Sequence, residues 1–371
     1  MNDISRDLIY LLSCAVNEVT PDAARVQAMD LEKVWEFAKF HMVTGATCIA
    51  LERAGVKRKE FHEALSKAVR KNICFDLERQ AIFDAFEEWG IWYLPMKGII
   101  LKELYPENGM RQMSDNDVLC DADKMEEVRK IMLARGYTKK GAGKGNHDVY
   151  LKAPMLNFEM HRSLFATRHA KVFRDYYADV KRLMIKDENR GYEYRLSDED
   201  FYVYFTVHER KHKDFSGIGI RTLLDRYVFL KEKGDSLDWN YVEEQESLLE
   251  IKEFEIERRK LAMNLFSGET VPELAAEDEI ILTEYLGAGA NGNMDLLIQK
   301  KLEKMSKPRF VLECFFPKME YMKRSVPFVD KWPWLYPAGV VFRWGRILIK
   351  RKGIVSRVLR ALNKKQNDKK V

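Results

Sequence analysis

The hydrophobic period of this chain changes twice, and that pattern limits its fold more than any single motif does. Up to about residue 90, apolar residues recur at helical spacing. Leu31, Val34, Trp35, Phe37 and Ala38 form one such set, and Phe61 to Trp89 gives a longer amphipathic stretch. From Ile91 the period becomes that of strands separated by turns. From Ser197 it returns to that of a helix and continues to about residue 305. The organisation is therefore helical, then mixed, then helical, and the aromatics of the helical parts read as core packing.

Within the mixed segment, Ile91-Trp92-Tyr93-Leu94 predicts a short strand that Pro95 confines to a strand end or a sheet edge. Lys97-Gly98 follows, then a helix from about Ile99 to Leu104 and a loop over Tyr105-Pro106-Glu107-Asn108-Gly109. Asp117 to Cys120 reads as a strand, and Asp123 to Arg135 as a helix stopped at Gly136. Gly141 to Gly145 reads as a mobile loop. His147–Leu151 and Leu156–His161 are strands of a hairpin turned at Ala153-Pro154. Ser197 followed by Asp200 resembles a capping box with Asp in place of Glu. Residues 306–342 are aromatic and proline-bearing, without clear period.

At 371 residues the chain exceeds one ordinary core, so two or three packed units are expected. No stretch approaches the roughly 20 apolar residues of a membrane span. Met1-Asn2-Asp3-Ile4-Ser5-Arg6-Asp7 lacks the basic start of a signal peptide, which points to a cytoplasmic protein. Cys14, Cys48, Cys74, Cys120 and Cys314 are odd in number and widely spaced, which suits reduced thiols rather than a disulfide or zinc framework.

The net charge of +5 conceals an asymmetry. Arg343 to Val371 holds eleven Lys/Arg and one acid, Asp368, for a charge of +10, which leaves about −5 on residues 1–342. The body has no DNA-binding composition, and no DNA partner is expected. Trp332-Pro333-Trp334-Leu335-Tyr336 and Val340 to Lys352 interleave aromatics with Arg and Lys. Such a segment suits an anionic membrane surface, an RNA backbone, or a docked amphipathic helix with a solvated tail.

The chemistry rests on residues 96–161. Asp115 and Asp117 stand two apart at the start of a strand, so they project from one face about 6–7 Å apart. Such a pair repels unless a cation lies between, and Mg²⁺ takes oxygen ligands of this kind. In the second hairpin strand Leu156, Phe158 and Met160 alternate with Asn157, Glu159 and His161. With the apolar set in the core, Glu159 can complete a three-acid cluster if the two strands are neighbours. Two ions held there would clamp the attacking and leaving oxygens of a phosphoryl transfer. Gly98 at a strand-to-helix turn admits a phosphate to the new helix's N–H groups, and Lys97 and Arg111 add cations. An Asp-x-Asp by itself reads as a solvated turn. The order of strand, glycine turn, helix, Asp-x-Asp strand and acid-bearing hairpin carries the argument.

That order resembles the nucleotidyltransferase superfamily, and within it the bacterial family of uncharacterised nucleotidyltransferases. The resemblance lies in Met96-Lys97-Gly98, Tyr105-Pro106, Gly109-Met110-Arg111, Ser114-Asp115-Asn116-Asp117-Val118-Leu119, Arg135-Gly136-Tyr137 and Phe158-Glu159-Met160-His161. It extends to His208, His212 and Leu223-Leu224-Asp225, about two thirds of the chain. It implies an α+β fold: a polymerase-beta-like palm over residues 91–190, a helical region over 1–90, a helical domain over 191–342 and a basic tail over 343–371. Asp115, Asp117 and Glu159 would be the catalytic, metal-binding carboxylates for Mg²⁺ or Mn²⁺. Lys97, Gly98, Arg111 and His161 would bind the NTP, such as ATP. The implied reaction moves an NMP to an acceptor hydroxyl of a sugar, another small molecule, RNA or a protein. Two departures are visible. The superfamily usually has Gly-Ser where this chain has Lys97-Gly98, and an apolar residue where this chain has Asn116.

Two other readings compete. His208-Glu209-Arg210-Lys211-His212 matches the His-Glu-x-x-His of zinc peptidases, with Asp225 or Glu232 as a third ligand. Alternatively, the palm is the scaffold of a catalytically idle, membrane-associated binding protein.

Overall fold

The computed structural model describes residues 1–140, 145–167, 169–215, 217–268, 270–290 and 305–350. The chain opens with helices α1 (Asp3–Val16), α2 (Ala23–Ala28), α3 (Leu31–His41), α4 (Thr44–Arg53) and α5 (Lys59–Glu88). Asn2, Asp22 and Asp30 start α1 to α3, each accepting a hydrogen bond from the backbone N–H three residues on. Helix α5 has 30 residues, about 45 Å of rise. Its Phe61 sits in the core of the N-terminal helices, while Phe75, Ile82 and Phe86 sit under the sheet. One rigid rod thus joins the two layers.

The sheet follows, with β1 (Tyr93–Pro95), the single turn α6 (Gly98–Leu101), β2 (Asn116–Cys120), α7 (Met125–Ala134), β3 (Thr138–Lys140), β4 (His147–Lys152) and β5 (Leu156–His161). Its order is β1-β2-β5-β4-β3. β2 and β5 run parallel, and the other pairs are antiparallel. Pro95 ends an edge strand, as its missing N–H requires. β3 has no counterpart in the sequence reading because Thr138-Lys139-Lys140 is a largely solvated edge without apolar alternation. Of the expected mobile loop, residues 141–144 lie outside the described residues.

Val118, Cys120, Phe158 and Met160 pack against α5 and α7. Phe158 meets Phe75 and Tyr137 edge-on, at centroid separations of 5.9 and 5.6 Å. Alternation then sends Asp117, Glu159 and His161 to the opposite face. Asn116, where an apolar residue is usual, is fully buried on the helix side, and its Oδ1 accepts from Arg79 Nη1 of α5 at 3.1 Å. α5 thus supplies a donor to the amide oxygen, whereas the buried Nδ2 has no hydrogen-bond partner among the described residues.

Beyond the sheet come α8 (Lys171–Tyr176), a two-stranded ladder of β6 (Ile185–Lys186) and β7 (Tyr194–Arg195), then α9 (Asp198–Phe215), α10 (Arg221–Lys233), α11 (Trp239–Leu248), α12 (Lys252–Phe266) and α13 (Ala276–Ala288). Only half of the expected capping box forms at α9. Ser197 Oγ accepts from Asp200 N–H at 3.0 Å, but the Asp200 carboxylate takes the Ser197 and Tyr241 hydroxyls. Helices that precede and follow the sheet in the chain share a core: Leu8, Leu12 and Ala46 pack with Leu224, Tyr227, Leu261 and Phe266. A second core joins Leu94, Leu101 and Leu119 to Phe165, Phe201, Tyr204 and Phe205, which brings α9 across the polar face of the sheet.

Residues 306–342, which showed no period, are also helical. Helices Lys307–Phe315, Met319–Ser325 and Pro327–Lys331 are short, prolines open two of them, and a longer helix, Tyr336–Lys350, follows. The three short helices are too brief to show a period. Most of the basic tail, residues 351–371, lies outside the described residues. No described helix is long and apolar enough to cross a membrane.

Candidate active site

The parallel pairing of β2 and β5 sets Asp117 opposite Glu159. Both side chains rise from the face away from α5, and two ring and chain nitrogens close on Asp117. Lys97 Nζ lies 2.7 Å from Asp117 Oδ2, and His161 Nε2 lies 2.8 Å from Oδ1. Burial opposes ionisation of Asp117, yet the Lys97 ammonium and the His161 hydrogen bond hold its carboxyl well below the usual carboxylate range. Lys97 is held above the ordinary lysine value despite burial, because Asp117 stabilises its charge. Against an ionised carboxylate, His161 must present Nε2–H; burial keeps the ring below its ordinary pKa, so it is the neutral donor.

Glu159 behaves in the opposite way. Burial and the charges of Asp117 and Asp115 push it up to about 7. Asp115 lies one residue before β2, and its Oδ1 accepts from Ser114 Oγ at 3.0 Å. Its field reaches Glu159, Lys97 and Arg111, so the three acids form one electrostatic cluster. The negative potential that raises Glu159 is what a divalent cation would relieve, and the oxygen donors suit a hard ion.

Lys97 carries the unusual backbone of the strand-to-helix turn, with φ +41° and ψ −103°. Such a conformation costs a non-glycine residue about 1–3 kcal/mol. The sequence reading made Gly98 the residue that admits a phosphate to this turn. Gly98 instead lies in close packing: a Cβ there would lie 2.9 Å from Arg111 Nη1 and 3.0 Å from Met113 Cε, so those side-chain ends would have to shift. The turn is too tight for the expected row of free amides: Ile99 N–H donates to Met96 O, and Ile100 and Leu101 N–H to Lys97 O. Arg111 is likewise not turned to open space. It is buried in a two-pronged ion pair with Asp225, Nε to Oδ1 at 2.8 Å and Nη2 to Oδ2 at 3.0 Å, and Tyr105 Oη donates to the same carboxylate. Arg111 therefore positions the loop 105–113 against α10.

The His-Glu-x-x-His segment lies on α9, but its parts separate. His208 Nε2 is 3.0 Å from Lys97 Nζ and 3.0 Å from His212 Nε2. An ammonium can only donate, so His208 Nε2 accepts from Lys97 and His212 Nε2–H donates to it. Burial holds both rings below the ordinary histidine value, His212 at about 3. Both histidines thus join the carboxylate cluster through Lys97. Glu209 points to the other side of α9, fully buried, where Arg226 Nη2 meets its Oε2 at 2.5 Å and Tyr285 Oη donates to its Oε1. A peptidase base must reach a metal-bound water, and Glu209 cannot. Asp225, one of the two suggested third zinc ligands, is committed to Arg111. The zinc-peptidase reading fails for want of its base.

Sequence reasoning missed His147. In the β4–β5 hairpin it pairs with His161, and its Nε2 lies 3.4 Å from Glu159 Oε2. Missed too was Lys71 of α5, whose Nζ donates to Ser114 O at 3.1 Å and which feels Asp115. No sequence signal marks Lys71. His147 could have been found by counting outward from the turn. Comparison with known families finds one described as an uncharacterised nucleotidyltransferase, matching residues 27–267. No curated protein and no solved structure matches the chain.

Proposed function

The chain belongs to the uncharacterised nucleotidyltransferase family, and from that premise we propose that it transfers an NMP from an NTP to an acceptor hydroxyl, releasing pyrophosphate. The observation that carries the reading is the Asp117–Glu159 pairing across parallel strands, with Asp115 acting on the same cluster and Lys97 on Asp117. Asp115, Asp117 and Glu159 would hold Mg²⁺ or Mn²⁺, which neutralises charge on the transferred group. Lys97, paired with Asp117 at 2.7 Å, swings from that carboxylate to the triphosphate. Glu159 would complete that cluster and, through the carboxylate oxygen not engaged by the ion, take the acceptor proton. Arg111 acts indirectly, by fixing the loop that leads into Asp115.

A ligand that binds only the folded state at 100 times its Kd adds about 2.7 kcal/mol. Mg²⁺ with an NTP should therefore raise Tm by a few degrees, and Asp117→Asn should abolish the rise. A parent protein whose Tm ignores all four Mg²⁺–NTPs would overturn the reading. Label from each NTP, followed into a cell lysate, identifies the acceptor class.

A second reading concerns attachment. Trp332, Trp334, Val341 and Phe342 are exposed next to the +10 segment, which favours peripheral contact with an anionic membrane surface. Changing Lys350, Arg351, Lys352, Arg357 and Arg360 to Gln should abolish sedimentation with anionic liposomes while leaving Tm unchanged. No sedimentation of the parent at about 0.1 M salt, or retention on RNA alone, refutes it.

A further inference from the structure

Three side chains at the rim of the carboxylate cluster form a donor set of different chemistry. The β4–β5 hairpin register pairs His147 with His161 and Val149 with Glu159. Directly opposed residues share a face, so His147, Glu159 and His161 converge. His147 Nε2 is 3.4 Å and His161 Nε2 is 3.7 Å from Glu159 Oε2. One ligand atom from each residue lies within 4.8 Å of the others.

We propose that His147, Glu159 and His161 form a subsite for one divalent transition-metal ion, of the Mn²⁺, Co²⁺ or Zn²⁺ class, adjoining the hard-cation site of Asp115 and Asp117. Two ligands bound tetrahedrally at about 2.1 Å stand about 3.4 Å apart. The separations of 3.4 and 3.7 Å are close to that spacing, and the two histidine ligand atoms lie within 4.8 Å of each other. Two imidazole nitrogens with one carboxylate oxygen favour transition metals, whereas Mg²⁺ demands oxygen donors and keeps its waters. The His147 and Glu159 side chains are 27% and 24% exposed, so an ion can enter and retain water. His161 Nε2–H now bridges to Asp117 Oδ1 at 2.8 Å. A bound ion takes the place of that proton and leaves Asp117 Oδ1 beside the ion as a further ligand. The ring proton then moves to Nδ1, which faces the Asn146 amide at 3.4 Å. Turning that amide presents its oxygen as the acceptor, at the cost of the 2.9 Å hydrogen bond that Asn146 Nδ2 donates to Ser163 O.

The subsite shares Glu159 with the nucleotide reading but does not depend on it. The test uses the full chain, stripped with chelator and titrated with Co²⁺ without nucleotide, reading visible d–d absorption and melting temperature. One Co²⁺ per chain should bind, be displaced by Zn²⁺ and resist an excess of Mg²⁺. His147→Ala should weaken Co²⁺ at least about tenfold. His147→Gln, which keeps the polar rim, should do the same if the alanine variant folds poorly. Asp115→Asn should retain the signal. The proposal is overturned by a folded parent without saturable Co²⁺ absorption, by a folded His147→Gln that binds Co²⁺ as tightly as the parent, or by loss of the signal in Asp115→Asn. Since Mg²⁺–NTP stabilisation is measured separately, the two readings fall independently.

Discussion

Glu209→Leu tests what the histidine motif on α9 is for. Arg226 and Glu209 are both 0% exposed and paired at 2.5 Å. Removing one partner of a buried pair costs about 3–5 kcal/mol, because the other charge stays buried and uncompensated. Arg226 would keep Glu255 at 3.6 Å, Tyr202 Oη at 2.6 Å and Thr206 Oγ1 at 3.2 Å. The expected loss therefore lies at the low end, about 3 kcal/mol. With an unfolding entropy of roughly 2 cal/mol/K per residue over 371 residues, that lowers Tm by about 4 °C. Glu209→Leu/Arg226→Met removes both charges. It should recover most of the loss, since an apolar pair of similar volume replaces a buried ion pair at little cost. Thermal melts of the parent, both singles and the double give the coupling energy. In each variant that folds, Mg²⁺–NTP should still raise Tm. A Glu209→Leu variant that melts within 1 °C of the parent, or that loses a zinc-dependent activity without losing stability, would refute a structural role for Glu209.

Two further outcomes follow from neighbouring charges. Glu246 is fully buried, with neither carboxylate oxygen hydrogen-bonded, and burial and Glu255 push it up to about 9. A raised acid favours folding fully below its unfolded pKa and loses that contribution as pH rises towards 9. Glu246→Gln should therefore gain stability over the parent progressively from pH 5 to 8, by at most about 1.4 kcal/mol per pH unit, read as a growing difference in Tm, and a pH-independent difference would refute it. Lys97→Gln removes the ammonium 2.7 Å from Asp117 Oδ2. It should tighten Mn²⁺ binding in the absence of nucleotide and shrink the Mg²⁺–NTP rise in Tm, and unchanged Mn²⁺ affinity would show that Lys97 does not compete for the metal position.

Much of the fold was legible because it is local. Alternation in Leu156–His161 fixes which side chains face the core, since strand side chains must alternate. The same rule sends Asp117 and Glu159 to one face, and the helical period of residues 1–90 needs no tertiary information. Counting outward from Ala153-Pro154 also places His147 opposite His161. Tertiary structure alone decided the rest. That β2 lies beside β5 and not β4 brings Asp117 to Glu159, and no property of either strand states this. Lys97 and Arg111 both read as phosphate cations, yet Lys97 meets Asp117 and Arg111 meets Asp225, more than a hundred residues away. The helix carrying His208 and Glu209 is one amphipathic segment in sequence. Only its packing between the sheet and α10 gives the histidines to Lys97 and the glutamate to Arg226. A charge declares in the sequence that it needs a partner, but which partner it finds depends on how distant elements pack.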